Sequence, residues 1–368
     1  MRLHVEREVL FPAVQRAIRA VDARVALPIL AGLYLEVADD RLVVAGASGE
    51  LYVRAWVPVD LAAEEGRTVV PARFFFDLLR RLPSGPVEIA LEEERVRVRQ
   101  GDVEFRISPM DPEDFPPFPE EVEAVSLPLA GERLERALRS VLFAASSSDT
   151  RPILKGVRWR AADGELVFVA TDSHRLARRV LPLEVPVDAP VEAIPPASRL
   201  EDILPLLDEA DLWRITFGKS TLGLRSEGLE IAIRLLEGVY PETDNLLTLE
   251  AQTTFFVAVE PFREALERAA LVVQKSAQPT VRLDAEGGAL VLSANHPELG
   301  SYREILPVEG FEGEKLTIWF NVRYLLEALK GWEEERAVLQ FNGSWKPFLV
   351  RPELDPGWVH LIVPVKIP

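Results

Sequence analysis

Leu166-Val-Phe-Val-Ala-Thr-Asp-Ser-His-Arg-Leu176 is the stretch from which the rest of the chain can be read. Leu166 to Ala170 is a short apolar run after the turn signal Asp163-Gly164, which predicts a buried strand. Thr171 to Leu176 is polar and holds one of only four histidines. The apolar half recurs, as Leu42-Val-Val-Ala45 124 residues upstream and Leu290-Val-Leu-Ser293 124 downstream. The polar half does not, because Gly46 to Leu51 and Asn295 to Leu299 stand in its place. Whatever residues 171–176 do has been added to one copy of a repeat.

Three further marks share this period, which suits a duplicated domain rather than a solenoid. Pro28-Ile-Leu30 answers to Pro152-Ile-Leu154 and Pro279-Thr-Val281. Phe75, Leu78, Leu79 and Leu82 form one helical face. That face returns as Leu200, Ile203, Leu204 and Leu207, and again as Leu325, Ala328, Leu329 and Trp332. An acidic position travels with it as Asp77, Asp202 and Glu327. Phe115-Pro116, Tyr240-Pro241 and Val363-Pro364 are the last mark. Each repeat reads as helix, strands, helix, strands, an α+β arrangement of two helices against antiparallel sheets, three times over. Pro205 should kink or shorten the second helix of repeat 2. Acidic or proline-rich links, 113–128 and 243–254, put the boundaries near 125 and 250, giving domains 1–125, 126–250 and 251–368.

The composition is that of a soluble globular chain: 48% hydrophobic, 27% charged and free of cysteine, so no disulfide or zinc–thiolate site is available. The start of the chain lacks a signal-peptide core, and no apolar run reaches the roughly 18 residues of a membrane span, so the expected location is cytoplasmic, without a membrane partner. A net charge of −17 argues at face value against nucleic acid. Its distribution argues otherwise. The predicted helical stretches 7–24, 73–82, 132–155, 199–208, 263–282 and 323–332 together carry +7, leaving −24 on the remainder. Either helices here simply favour arginine, or a repeated domain turns one cationic face toward a polyanion inside a closed ring.

Several residues invite chemistry. Asp172 and His174, at i and i+2 on an extended segment, would share a face and could form an acid–base pair. A catalytic reading also needs a nucleophile or metal. Ser146-Ser-Ser148 is a possible partner, but no second histidine stands at ligand spacing. The other readings are a structural loop or a binding loop. Ser146 to Arg151 is a flexible linker or a phosphate-touching loop. No glycine-rich phosphate loop is present. The apolar run Leu361 to Pro368 is a docked edge strand or the wall of an exposed groove, with Tyr324 and Trp345-Lys-Pro347 as further aromatic candidates for that groove.

Ala170-Thr-Asp-Ser-His-Arg-Leu-Ala177 resembles the ATDGHRLA signature of the bacterial DNA polymerase III beta subunit family, the replicative sliding clamps. Arg24 with Leu27-Pro-Ile-Leu30, Val70-Pro-Ala-Arg73, Asp114-Phe-Pro116, Phe320-Asn-Val322 with Tyr324, and Val363-Pro364 agree with it, and the resemblance runs through the whole chain. It implies three clamp domains per chain and a head-to-tail homodimer closing a ring around duplex DNA, with helices lining the hole. It also implies no catalytic residue, no metal and no cofactor. The implied partners are double-stranded DNA held topologically, a second copy of the chain, the replicative DNA polymerase, a clamp-loader ATPase, and repair polymerases and ligase-type clients, at the nucleoid of the cytoplasm.

The resemblance places a peptide-binding pocket at Arg151, Leu154, Thr171, Ser173, His174, Arg175, Leu176, Pro241, Asn245, Leu246, Asn321, Tyr324, Trp345, Pro347, Val363, Pro364, Val365, Lys366 and Ile367. Leu154 and Leu176 are expected to line an open apolar cleft. DNA contacts map to Arg24, Arg73 and the loop at Ser148, and Arg80 joins them from its place on the helix. The dimer contact maps to Phe105 and Ile107 meeting Leu271 and Val272, with Phe105 and Ile107 on one buried strand face. Four pocket positions depart from the family pattern: Ser173 for Gly, Asn245 for Arg, and Val363 and Val365 for Met. Ala197 and Ser198 stand where basic residues are usual. Two other functions compete: a hydrolase using Asp172 and His174, and a monomeric protein-binding adaptor that does not encircle DNA.

Overall fold

The structure is a computed structural model that describes residues 1–22, 27–59, 63–119, 125–248 and 250–366. Its contacts gather into two compact units, Met1–Glu135 with Val187–Leu236, and Arg136–Pro186 with Glu237–Pro368. These cut across the sequence repeats, because sheets run through the repeat boundaries.

In the first unit the strands Gly66–Pro71, Gly32–Ala38, Arg41–Ala47, Leu51–Pro58, Leu229–Arg234, Thr221–Ser226, Leu212–Phe217 and Val125–Ala130 lie side by side in that order. Leu51–Pro58 comes from repeat 1 and Leu229–Arg234 from repeat 2. They pair antiparallel from Leu229 opposite Ala55 to Ile233 opposite Leu51. A second, four-stranded sheet runs Arg2–Glu6, Pro86–Glu92, Arg95–Gln100, Val103–Ile107, so the last of these is an edge. The helices Arg7–Ala17 and Ala72–Arg81 bury their apolar faces here. Phe11 and Phe76 pack with tilted rings, centroids 5.3 Å apart, and Arg7 Nε donates to the Leu79 carbonyl at 2.9 Å. Phe75, Leu78, Leu79 and Leu82 are all buried, as their spacing predicts.

The second unit repeats the plan. Its large sheet contains, in order, Arg158–Ala162, Glu165–Thr171, Arg175–Pro182, Trp358–Ile362, Phe348–Pro352, Arg336–Phe341, Thr253–Ala258 and Glu309–Gly313. Repeat 2 meets repeat 3 where Arg175–Pro182 pairs with Trp358–Ile362. The C-terminal strand is therefore central, not the edge strand that is one reading of the sequence. Its apolar character reflects neighbours on both sides. The smaller sheet runs Gly300–Pro307, Ala289–His296, Thr280–Glu286, Leu316–Asn321. The helices Val259–Val273 and Val322–Leu329 cover a core built around Phe255, Phe262, Phe320 and Phe341.

Two local expectations change. The helix Ala197–Leu207 continues through Pro205, which sits in its last turn, where only one backbone bond is lost. The Pro152–Lys155 segment is a short 3-10 turn, as is Pro28–Ala31, whereas Pro279 leads straight into the strand Thr280–Glu286.

Candidate functional site

The polar half of the opening stretch is a tight loop between two strands, not an extended segment. Ser173 takes φ = 77°, a left-handed conformation costly for any residue with a Cβ. The Asp172 carboxylate accepts the backbone N–H groups of His174 and Arg175, at 2.9 and 3.0 Å, and Arg175 Nε at 3.0 Å. Its acceptor capacity is spent on holding the loop, and the His174 ring is exposed. Of the readings open for Asp172 and His174, the acid–base pair is thus absent from the geometry. Thr171 Oγ1 closes the loop by donating to the Arg175 carbonyl at 2.6 Å.

Arg175 is the centre of the site. Besides Asp172 it binds the Glu327 carboxylate and the Phe143 carbonyl. Its guanidinium carbon lies 4.7 Å from the Tyr324 ring centroid and 5.3 Å from that of Phe143. Burial raises the Tyr324 phenol above its usual pKa, and the negative charge of Asp172 adds to that. The loop is stitched to other segments. Arg151 donates to Ser173 Oγ at 3.3 Å, and the Val363 N–H donates to the His174 carbonyl at 2.9 Å. Val365 N–H donates to the Trp319 carbonyl at 2.7 Å, and Trp319 stacks on Trp345. Asn321 caps the helix that carries Tyr324. The structure therefore brings together Arg151, Thr171, Ser173, His174, Arg175, Tyr324, Asn321, Trp345, Val363 and Val365, with Pro364 between the last two.

Other pocket residues fall differently. Leu154 and Leu176 are each only 2% exposed, so they do not line an open cleft. Leu176 lies opposite Thr171 on one side and Leu361 on the other, inside a continuous sheet. The exposed apolar groups are instead Trp345 and Leu246, both 52% exposed. Asn245 and Leu246 sit on the short helix Asp244–Leu247, after the exposed Pro241. Tyr240, which the sequence marks only as a repeat, is buried against Thr171 and Arg158, and burial drives its phenol pKa far up. Pro347 is half-buried and Lys366 exposed, and Ile367 lies outside the described residues.

Of the expected DNA contacts, Arg73 and Arg80 stand exposed on the helix Ala72–Arg81. With Gln15, Ile18, Arg19, Phe76 and Asp77 they line a cavity of about 400 Å³. Arg80 pairs with Asp77 at 2.8 Å and Arg19 reaches the Asp202 carbonyl at 3.4 Å. Arg24 lies outside the described residues. Ser148 is exposed in a loop tied by its own hydroxyls and by the Lys155–Asp149 pair. Of the expected interface residues, Phe105 is 36% exposed on the edge strand Val103–Ile107, packed edge-on against Phe74. Ile107 is buried opposite Val96, so the two do not share one burial state: the strand leaves the core toward its start. Leu271 is 63% exposed on the helix Val259–Val273, and Val272 packs partly on the core.

Comparison with known proteins agrees over the whole chain. Residues 1–119 match the family model of the N-terminal domain of the DNA polymerase III beta subunit, 128–242 that of the central domain, and 245–366 that of the C-terminal domain. The chain is 31% identical to the beta sliding clamp of Bacillus subtilis (strain 168) over all of both chains. The crystal structure of the Bacillus subtilis DNA polymerase sliding clamp superposes with a TM-score of 0.95 at 31% identity, all of both chains covered. A Pseudomonas aeruginosa sliding clamp solved with griselimycin bound superposes equally, with a TM-score of 0.95 at 28% identity over all of both chains.

Proposed function

The chain belongs to the DNA polymerase III beta subunit family, and from that premise we propose that it is a sliding clamp: two copies, head to tail, encircle duplex DNA and tether the replicative polymerase. The observation that carries the ring is that, among the described residues, each small sheet has an open edge beside the expected contact residues. Val103–Ile107 ends the small sheet of repeat 1, and Gly300–Pro307 ends that of repeat 3. Edges of this kind present unpaired backbone groups that recruit another strand. Two different edges on one chain make a heterologous contact, which closes when the rotation permits. Phe105, Leu271 and Val272 supply its apolar part, with Ile107 buried beneath the edge. Domains bounded at 125 and 250 then give six around the hole.

Arg24, Arg73, Arg80 and the loop at Ser148 are the DNA-facing groups of this reading. They are few, on a chain of net charge −17, so contact alone binds DNA weakly and retention comes from topology. The cluster around Arg175, together with the exposed Trp345 and Leu246, is in this reading the docking site for client peptides of polymerases, the clamp loader and repair enzymes. The protein is not an enzyme in this reading, consistent with an Asp172 committed to its loop. The expected location is the cytoplasm; among the described residues no helix is long and apolar enough to cross a membrane.

The test loads the protein on nicked circular DNA, raises the salt, and then linearises the circle. Retention on the intact circle at high salt and loss on cutting are expected. Steep salt-dependent loss from the intact circle would favour the monomeric adaptor.

A further inference from the structure

The face of the large sheet turned away from the helix Val322–Leu329 carries a row of arginines. Arg175 points to that helix, through Glu327 and Tyr324. Its strand neighbours Leu176 and Arg178 flank Ala177 on the opposite face, because side chains alternate. Registers extend the row across the sheet: Arg158 lies opposite Val169, Val169 opposite Arg178, and Arg178 opposite Val359. One step beyond the Val350–His360 pair, Val359 comes level with Arg351, which lies opposite Val338. Arginine and valine thus alternate strand by strand, which spaces the guanidinium stems about 10 Å apart.

Two of these arginines stand alone on a chain of net charge −17. Among the described residues Arg178 and Arg351 have no ion-pair or hydrogen-bond partner, and the Nε of each is buried without one. Asp163, Glu165 and Asp244 line a small cavity together with Arg158, Arg160 and Arg178, yet none of them pairs with Arg178. A half-buried guanidinium without a carboxylate is a standing cost that an incoming anion removes. The next row on the same face, two residues along each strand, is Thr171, Leu176, Leu361 and Leu349. That row is buried and holds Thr171 and Leu176, so the arginines lie one row, about 7 Å, from the loop that Arg175 holds.

We propose that this row is a second recognition element of the peptide site, and that it selects clients whose apolar tail is flanked by acidic residues. The inference rests on the reading of the Arg175 cluster as a peptide site. Extended acidic side chains two residues apart repeat at roughly 7 Å, so a short acidic run can reach Arg178 and Arg351 while its tail engages Trp345 and Leu246.

The experiment uses the full-length protein and four synthetic ten-residue peptides: a Leu-Leu-Phe tail with a neutral Asn-Gln-Asn flank, the same tail with an Asp-Glu-Asp flank before it or after it, and an acidic flank with the apolar residues replaced by serine. One of the two acidic placements should bind at least fivefold tighter than the neutral peptide in low salt. That gain should vanish in 0.5 M salt and in Arg178→Gln with Arg351→Gln, while the neutral peptide keeps its affinity for the variant. Equal binding of neutral and acidic peptides overturns the arginine row and leaves the pocket standing. Equal binding of the acidic peptide without its tail makes the row a nonspecific anion surface and also overturns it. Failure of every peptide to bind removes the pocket reading, and the inference with it. Should the double variant fold poorly, the comparison of peptides on the unaltered protein still decides.

Discussion

Arg175 and Glu327, 152 positions apart in the chain, are joined by an ion pair that locks the polar loop of repeat 2 onto the second helix of repeat 3. Arg175 also neutralises Asp172 and fills the Phe143 carbonyl, so it compensates three acceptors from a side chain that is 13% exposed. Replacing it with alanine should cost about 2–3 kcal/mol, discounted because Glu327 is partly solvated. Lysine cannot form the fork and should recover less than half of this. The urea midpoint measures both, and a loss under half a kcal/mol for alanine would refute the assignment.

The same loop holds a residue at odds with its backbone. Ser173 at φ = 77° should be improved by glycine, with a net gain below about 1 kcal/mol because glycine also loosens the unfolded chain. Alanine keeps the strain and loses the Arg151 hydrogen bond, so the order of thermal stability should be Gly, then Ser, then Ala. Alanine matching glycine would contradict the strain argument.

His360 is fully buried between Trp332, Trp358 and Phe143, and among the described residues both its ring nitrogens lack a partner. Burial, with Arg175 and Arg179 nearby, lowers its pKa to about 3. Its stabilising contribution is therefore complete above the unfolded value near 6.5. It is lost as pH falls toward 3, because the unfolded chain takes the proton first. By pH 5 the loss is about 2 kcal/mol. His360→Phe keeps the ring packing and should flatten the stability profile between pH 7 and 5. An unchanged slope would show that His360 ionises within the fold.

Burial changes which substitution probes the peptide site. Leu176→Asp would place an unpaired carboxylate inside a sheet and should destabilise the protein by several kcal/mol, roughly 3–5. Trp345→Ala and Leu246→Asp alter exposed groups, and should abolish peptide binding while the melting curve stays put. Full peptide affinity in both surface variants would place the docking site elsewhere.

Leu271→Asp tests the ring contact. The side chain is 63% exposed in the single chain, so the folded monomer should tolerate the change while an apolar interface does not. Light scattering should report a halved mass at micromolar concentration. A persistent dimer would remove Leu271 from the interface.

Much of the architecture was legible because it is repeated. The period put Leu42, Leu166 and Leu290 in equivalent buried strands, and the helical faces around Phe75, Leu200 and Leu325 are buried as their spacing requires, except that Leu204 is only half-buried and Leu206 turns inward instead. The acidic position repeated with them was legible as a position but not as a bond. Asp77 pairs with Arg80, Asp202 with Arg199 and Glu327 with Arg175, and only the last pair reaches beyond its own helix. No local pattern encodes that reach. The loop 171–175 misled for a related reason: i, i+2 spacing implies a shared face only if the backbone is extended, and Ser173 breaks it. Leu176 and the C-terminal strand carry no local sign of their burial, because their covering neighbours, Leu361 and Arg175–Pro182, come from another repeat.

The strand pairs that join neighbouring repeats make the covalent links between them redundant. Leu51–Pro58 with Leu229–Arg234, and Arg175–Pro182 with Trp358–Ile362, are full antiparallel ladders. A protease nick in the exposed stretch around Asn245 should therefore leave two fragments that copurify and melt together. The same stretch should accept new chain ends in a circular permutant, whereas a single repeat cut out by its sequence boundaries would carry a bare half-sheet and should not stay soluble.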